Sequence, residues 1–284
     1  MQRWLSQSIK VASVLFVFVV FGYGQQRPLL TEDVDIVKPG NIRVQVGFEL
    51  DQKQRFGLSG LSGDVTHIGD VGVYFGMSPN VQFEITGTIR NYLNIESRTP
   101  PAVPLSIGAK NSTSDVGDFT LAAKFKLMNE ESRRPSVGFR FGVTLPNTDQ
   151  AKGIGTNTVN AFGMVLVGKH FFNGRLNTFG NLGVGILTNP LVGTAQNDVF
   201  LYGAAAIVKI NDRFNAVAEV NGRKSTRTPF PGTESLGEAR IGFQLNAAGL
   251  RWDSAFIKGY TPFSPRYGIT LGVSSDFSAF KPIQ

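Results

Sequence analysis

Cysteine is absent from the 284 residues. That excludes a disulfide framework, thiol catalysis and cysteine-ligated metals. Histidine occurs only at His67 and His170. Neither has a serine two residues away, and no phosphate loop or serine elbow is present. The chain is therefore expected not to be an enzyme, to hold no cofactor and to ligate no metal. Charged residues make up 17% of the chain, and the net charge of +7 is scattered along it. No basic patch forms, so nucleic acid is not an expected partner. After residue 24 no apolar run reaches the ~20 residues of a spanning helix. Any membrane insertion must then use strands.

The first 24 residues read as a secretory signal. Arg3 and Lys10 give a basic start, Val11 to Phe21 an apolar run, and Gly22-Tyr23-Gly24 a small-residue cleavage site.

Beyond the signal, polar and apolar residues alternate one by one. Ile42, Val44, Val46, Phe48 and Leu50 share one face; Arg43, Gln45 and Glu49 share the other. A strand turns successive side chains to opposite faces, so period two gives one apolar and one polar face. The pattern recurs in twelve segments: 41–50, 68–77, 81–92, 118–127, 136–145, 160–170, 177–187, 199–210, 214–223, 236–245, 250–259 and 267–277. Its phase is blurred in 160–170, 199–210 and 250–259. Most segments are near the length a tilted strand needs to cross hydrocarbon.

The links alternate too. Links 51–67, 93–117, 146–159, 188–198, 224–235 and 260–266 are mostly long. Links 78–80, 128–135, 171–176, 211–213 and 246–249 are short. Long external loops and short periplasmic turns are the pattern of an all-β, antiparallel transmembrane barrel, here of about 12 strands. An even strand count puts both barrel termini on the periplasmic side. Residues 1–24 are then the signal peptide, 25–40 a periplasmic N-terminal segment, 41–277 the barrel and 278–284 a tail. The final strand, Tyr267 to Phe277, resembles the segment that outer-membrane assembly machinery reads.

Charges on the lipid face of a barrel are costly, so the polar face should line the lumen. Its candidates are Arg43, Glu49, Glu84, Arg90, Lys124, Lys126, Arg140, Glu219, Arg223, Glu238 and Arg240. Two readings fit this set: a charged pore lining that selects solutes by sign, or a lumen closed by mutually satisfied ion pairs. Basic residues outnumber acidic ones in it, which points to anion preference if a pore is open. Residues 25–40 carry Thr31, Glu32, Asp33 and Asp35. They form either a free periplasmic tail or a segment folded into the barrel mouth, its carboxylates on lumen Arg or Lys.

Several short motifs carry a family resemblance. Arg27-Pro28-Leu29-Leu30-Thr31-Glu32-Asp33 precedes Pro39-Gly40; Gly117-Asp118-Phe119-Thr120-Leu121 leads into Lys124-Phe125-Lys126-Leu127; Leu145-Pro146 closes the fifth segment. Together these resemble the outer-membrane family named for the meta-pathway of phenol degradation. The resemblance implies a barrel that passes small, often aromatic, hydrophobic compounds. Outer-membrane lipid and small solutes are the partners it implies. A structural or adhesive barrel with a closed lumen is the alternative.

Overall fold

The computed structural model describes residues 27–282; the expected signal peptide lies outside the described residues. The strands are β1 (Asn41–Phe56), β2 (Leu61–Ser78), β3 (Val81–Arg98), β4 (Ser112–Asp115), β5 (Thr120–Met128), β6 (Ser136–Thr144), β7 (Asn160–Phe171), β8 (Leu176–Thr188), β9 (Gln196–Lys209), β10 (Phe214–Ser225), β11 (Leu236–Ala247), β12 (Leu250–Gly259) and β13 (Tyr267–Ser278). All but β4 form an antiparallel twelve-stranded wall, each strand paired with its neighbours in the chain. It closes where β1 meets β13, from Asn41 opposite Ser278 to Gln52 opposite Tyr267. Closure leaves no open sheet edge in lipid, where unpaired backbone groups would each be costly. β4 is a flap that covers the outer half of β3, Asn91 opposite Asp115, while β5 pairs with the inner half.

Two links expected to be loops are largely strand. β1 and β2 run on to a turn at residues 57–60, and β3 continues to Arg98. The reason is a change of solvent. Above the hydrocarbon the outward face no longer needs to be apolar: Ser62, Asp64, Asn94 and Glu96 occupy outward positions there. The apolar alternation fades while the backbone ladder continues.

Beneath these tall strands the loops turn inward. Leu61, Val65, Leu93 and Ile107 form a buried cluster with Phe56, Ile95, Leu105 and Ile154 packed against it. Ser59 donates to the Gly153 carbonyl at 2.7 Å and Thr113 to that of Lys152 at 2.9 Å. These contacts fold loop 145–159 over the outer mouth.

The opposite rim carries tight turns. Ala248 and Gly249 both have positive φ, +53° and +74°, the hairpin geometry whose twist suits antiparallel strands. At residues 211–213 the Asn211 side chain accepts from the Arg213 and Phe214 amides. In turn 129–135, Glu130 accepts from the His170 ring at 2.6 Å and pairs with Lys169 at 3.0 Å. Those donors hold its carboxyl well down, at about 2. A depressed carboxylate pKa means stabilisation present above the unfolded value and lost as pH falls through the folded one. This turn should therefore hold at pH 5 and loosen towards pH 2, which the His170 ring resonances in a pH titration would report.

Across the hydrocarbon the outward face of the wall is apolar. Phe83, Phe139, Phe141, Leu182, Ile241 and Leu271 are all exposed on it. Ile241, at the middle of β11, is 66% exposed. Ile241→Lys is expected to cost about 2–4 kcal/mol of folding into lipid vesicles, read from denaturant titrations. A neutral effect would place this face in water.

Candidate permeation path

The interior is crossed by the chain's own N-terminal segment. Residues 27–40 run inside the wall, with Leu29, Thr31, Glu32, Asp33, Val34 and Val37 buried. Of the two readings open for this segment, the packed one is the geometry found. The segment has no strand partner, so wall side chains supply its hydrogen bonds. Gln82 accepts from the Val37 amide at 2.7 Å. Asn181 both accepts from the Glu32 amide and donates to its carbonyl, each at 2.7 Å. Glu219 accepts from the Leu30 and Thr31 amides, both at 2.8 Å. Gln244 donates to the Arg27 carbonyl at 2.8 Å.

Its charges are matched as well. Glu32 lies 3.3 Å from Lys124 and 3.6 Å from Arg140. Asp35 lies 2.9 Å from Lys126, and Asn177 donates to Asp33 at 2.8 Å. Arg27 lies 3.5 Å from Asp253 and donates to Thr270. The segment is thus bonded to walls on opposite sides of the lumen.

Ten of the eleven expected lumen residues point inward. Arg43 pairs with Asp276 across the closing seam. Arg140 pairs with Glu84 at 2.8 Å and lies over the Phe162 ring at 5.0 Å. Arg240 gathers Glu238 at 2.7 Å, Glu49 at 3.0 Å and Glu219 at 3.7 Å, and donates to the Pro28 carbonyl. Lys124 and Lys126 hold the N-terminal segment. Arg223 donates to the main-chain carbonyls of Glu234 and Gly232.

Arg90 is the correction. It stands opposite outward-facing Ile68 in the β2–β3 ladder. Its guanidinium reaches Ser114 and the exposed ring of Tyr92. Thr88 and Asn91 both point inward, bonded to Asp70 and His67, so two outward residues separate them. The cause is an irregularity at Gly69, whose φ is +70° and which has no partner on β1. A bulge of this kind reverses the facing of every residue beyond it.

Sequence reasoning missed several lumen groups. Asp276 continues the polar phase of its strand, and Asp253 sits where the phase was blurred. Glu49, Asp51 and His67 come together with ligand atoms within 4.8 Å of one another. They are split between two strands, so no linear motif announces them. His67 Nδ1 meets Asn91 at 2.7 Å and Nε2 faces Asp51 at 3.4 Å. Arg240 already occupies Glu49.

Two chambers lie inside the wall among the described residues. The outer one, about 450 Å³, lies under the loops and is lined by Phe56, Leu58, Ile154, Phe162, Leu201 and Leu236, with Arg140 and Arg223. The inner one, about 370 Å³, lies beside Arg27 and is lined by Glu32, Glu49, His67, Asp70, Tyr74 and Arg240. Arg140 borders both. At the level of the segment Lys124, Gln82 and Thr270 have no exposed surface, so the segment covers the wall there.

One solved structure shares the architecture, and others are more distantly similar. An outer membrane channel from Pseudomonas putida F1 superposes with a TM-score of 0.62 at 13% identity, over 86% of this chain and 98% of that one. The NanC porin gives 0.49 at 9% identity, covering 84% of this chain and 99% of that one. The translocator domain of the autotransporter NalP from Neisseria meningitidis gives 0.49 at 13%, covering 97% and 96%. No curated protein matches the sequence. The family described as "Putative MetA-pathway of phenol degradation" matches residues 62–267, most of the wall, and the chain belongs to that family.

Proposed function

We propose that this protein is an outer-membrane channel for small apolar, often aromatic, compounds, exported by residues 1–24 and closed at rest by residues 27–40. The observation that carries this reading is the pair of chambers on either side of Arg140, divided by a segment held without a strand ladder. A purely structural barrel has no need of a chamber of mixed apolar and basic lining under its outer loops. Family membership and the barrel fold support the same reading. A non-enzymatic role fits the two histidines: His67 is engaged by Asp51 and Asn91, and His170 by Glu130.

The test is conductance. The mature chain in a planar bilayer should give rare or small steps. A variant lacking residues 27–38 should give steps at least about tenfold larger or more frequent, the effect of unblocking a barrel whose size lies between filled and open types. Equal traces from both would remove the segment's closing role. No flux of benzyl alcohol into vesicles through either form would favour a structural or adhesive barrel.

A further inference from the structure

Two arginines of the outer chamber, Arg55 and Arg223, make no ion pair among the described residues. Arg140 is paired with Glu84 and Glu32. Arg223 points into the same chamber from β10, yet its partners are two main-chain carbonyls, at 2.9 and 3.4 Å. No described carboxylate lies within ion-pair distance of it. The two acidic groups of the chamber also accept main-chain bonds, and Glu234 lies close enough to Arg223 to act on it electrostatically. Glu234 accepts from the Gly232 amide at 2.9 Å, and Asp118 accepts from the Asn147 and Thr148 amides, both at 2.9 Å.

A guanidinium carries five donors in a planar fork. Two are used here, and Arg223 lines the chamber together with Phe162, Leu201 and Leu236. A cation in apolar surroundings gains most from a counter-charge that arrives with its own apolar body, because that body displaces water from the same walls. The chamber volume of about 450 Å³ falls within the range of small-ligand sites.

We infer that the outer chamber binds small amphipathic carboxylates, the carboxylate on Arg223 and the aromatic or aliphatic body against Phe162, Leu201 and Leu236. This rests on the channel reading for its purpose but not for its test, since binding is measured without transport. Arg140 lies at the inner border of the chamber, so a bound carboxylate sits one step from the contact between Arg140 and Glu32.

The experiment is calorimetry on the full mature chain in detergent, with benzoate and with benzyl alcohol, a neutral probe of similar size. The wild type should bind benzoate about 10- to 100-fold more tightly, the range of charge-assisted hydrogen bonding. In Arg223→Gln that ratio should collapse towards one, and Arg223→Lys should restore part of it. A purely structural arginine, pinning loop 226–235, would weaken both probes together and leave the ratio unchanged; that result overturns the inference. Equal binding of both probes by the wild type also overturns it. Should Arg223→Gln fail to fold, Leu201→Trp fills the chamber and should abolish benzoate binding; undiminished binding would place the ligand elsewhere. Benzoate binding without vesicle flux upholds the site and removes the channel reading alone.

Discussion

Glu32→Ala should convert a mostly closed barrel into a mostly open one. Glu32 bridges Lys124 and Arg140 from the N-terminal segment, and Lys124 has no exposed surface at all. Removing one partner of a buried ion pair leaves the other charge without compensation, a loss of roughly 3–5 kcal/mol. Here the chain can escape that loss by unseating the segment, which lets water reach Lys124. Taking only the lower figure, the balance between seated and unseated forms shifts by about 10²-fold. Single-channel recording measures it as the fraction of time spent conducting. An unchanged fraction would mean that the main-chain bonds from Asn181, Glu219 and Gln82 hold the segment by themselves. Glu32→Gln separates charge from shape: Lys124 can still donate to the amide oxygen, so it should open the barrel less.

Arg240→Met should be the most destabilising single change in the wall. Three carboxylates, Glu49, Glu219 and Glu238, converge on this one guanidinium, which also donates to the Pro28 carbonyl. Methionine fills similar space, so the effect is electrostatic rather than a cavity. The expected loss is about 3–5 kcal/mol, measured by denaturant unfolding in lipid vesicles. Arg240→Lys keeps the charge but not the planar fork and should lie between. A loss below about 1 kcal/mol, the value of an exposed pair, would mean that water fills the middle of the barrel. The two predictions are linked, since loss of the bond to Pro28 should also raise the open fraction of Arg240→Met.

The wall was legible because lipid imposes period two on every strand that faces it. Ile241, Phe243 and Leu245 announce their face, and Arg240 and Gln244 announce the other. Legibility ended where lipid ended. Above the membrane, Asp64 and Glu96 sit on outward positions that water tolerates, so β2 and β3 read as loops. Inside the lumen no solvent imposes a pattern either. Leu29, Val34 and Val37 are irregularly spaced because each fits a particular gap in the wall. What did show was chemistry: carboxylates at Glu32, Asp33 and Asp35 ahead of a wall rich in lysine and arginine. Arg90 was misplaced because one glycine, Gly69, reset the facing of its hairpin, and period alone carries no sign of such a bulge.

The wall is not of even height. β2 and β3 have 18 residues each, while β5 and β6 have nine. At about 3.3 Å per residue and a tilt near 40°, nine residues rise only about 23 Å, slightly less than the ~25 Å apolar band of such barrels. The Leu145–Phe119 backbone bond carries the ladder one step further, so this side has no length to spare, and in a thicker membrane the bilayer would thin beside it or the cylinder would lean. Either response gives the protein a front and a back with respect to its lipid neighbours, and makes the thickness of the surrounding membrane a variable to which its posture answers.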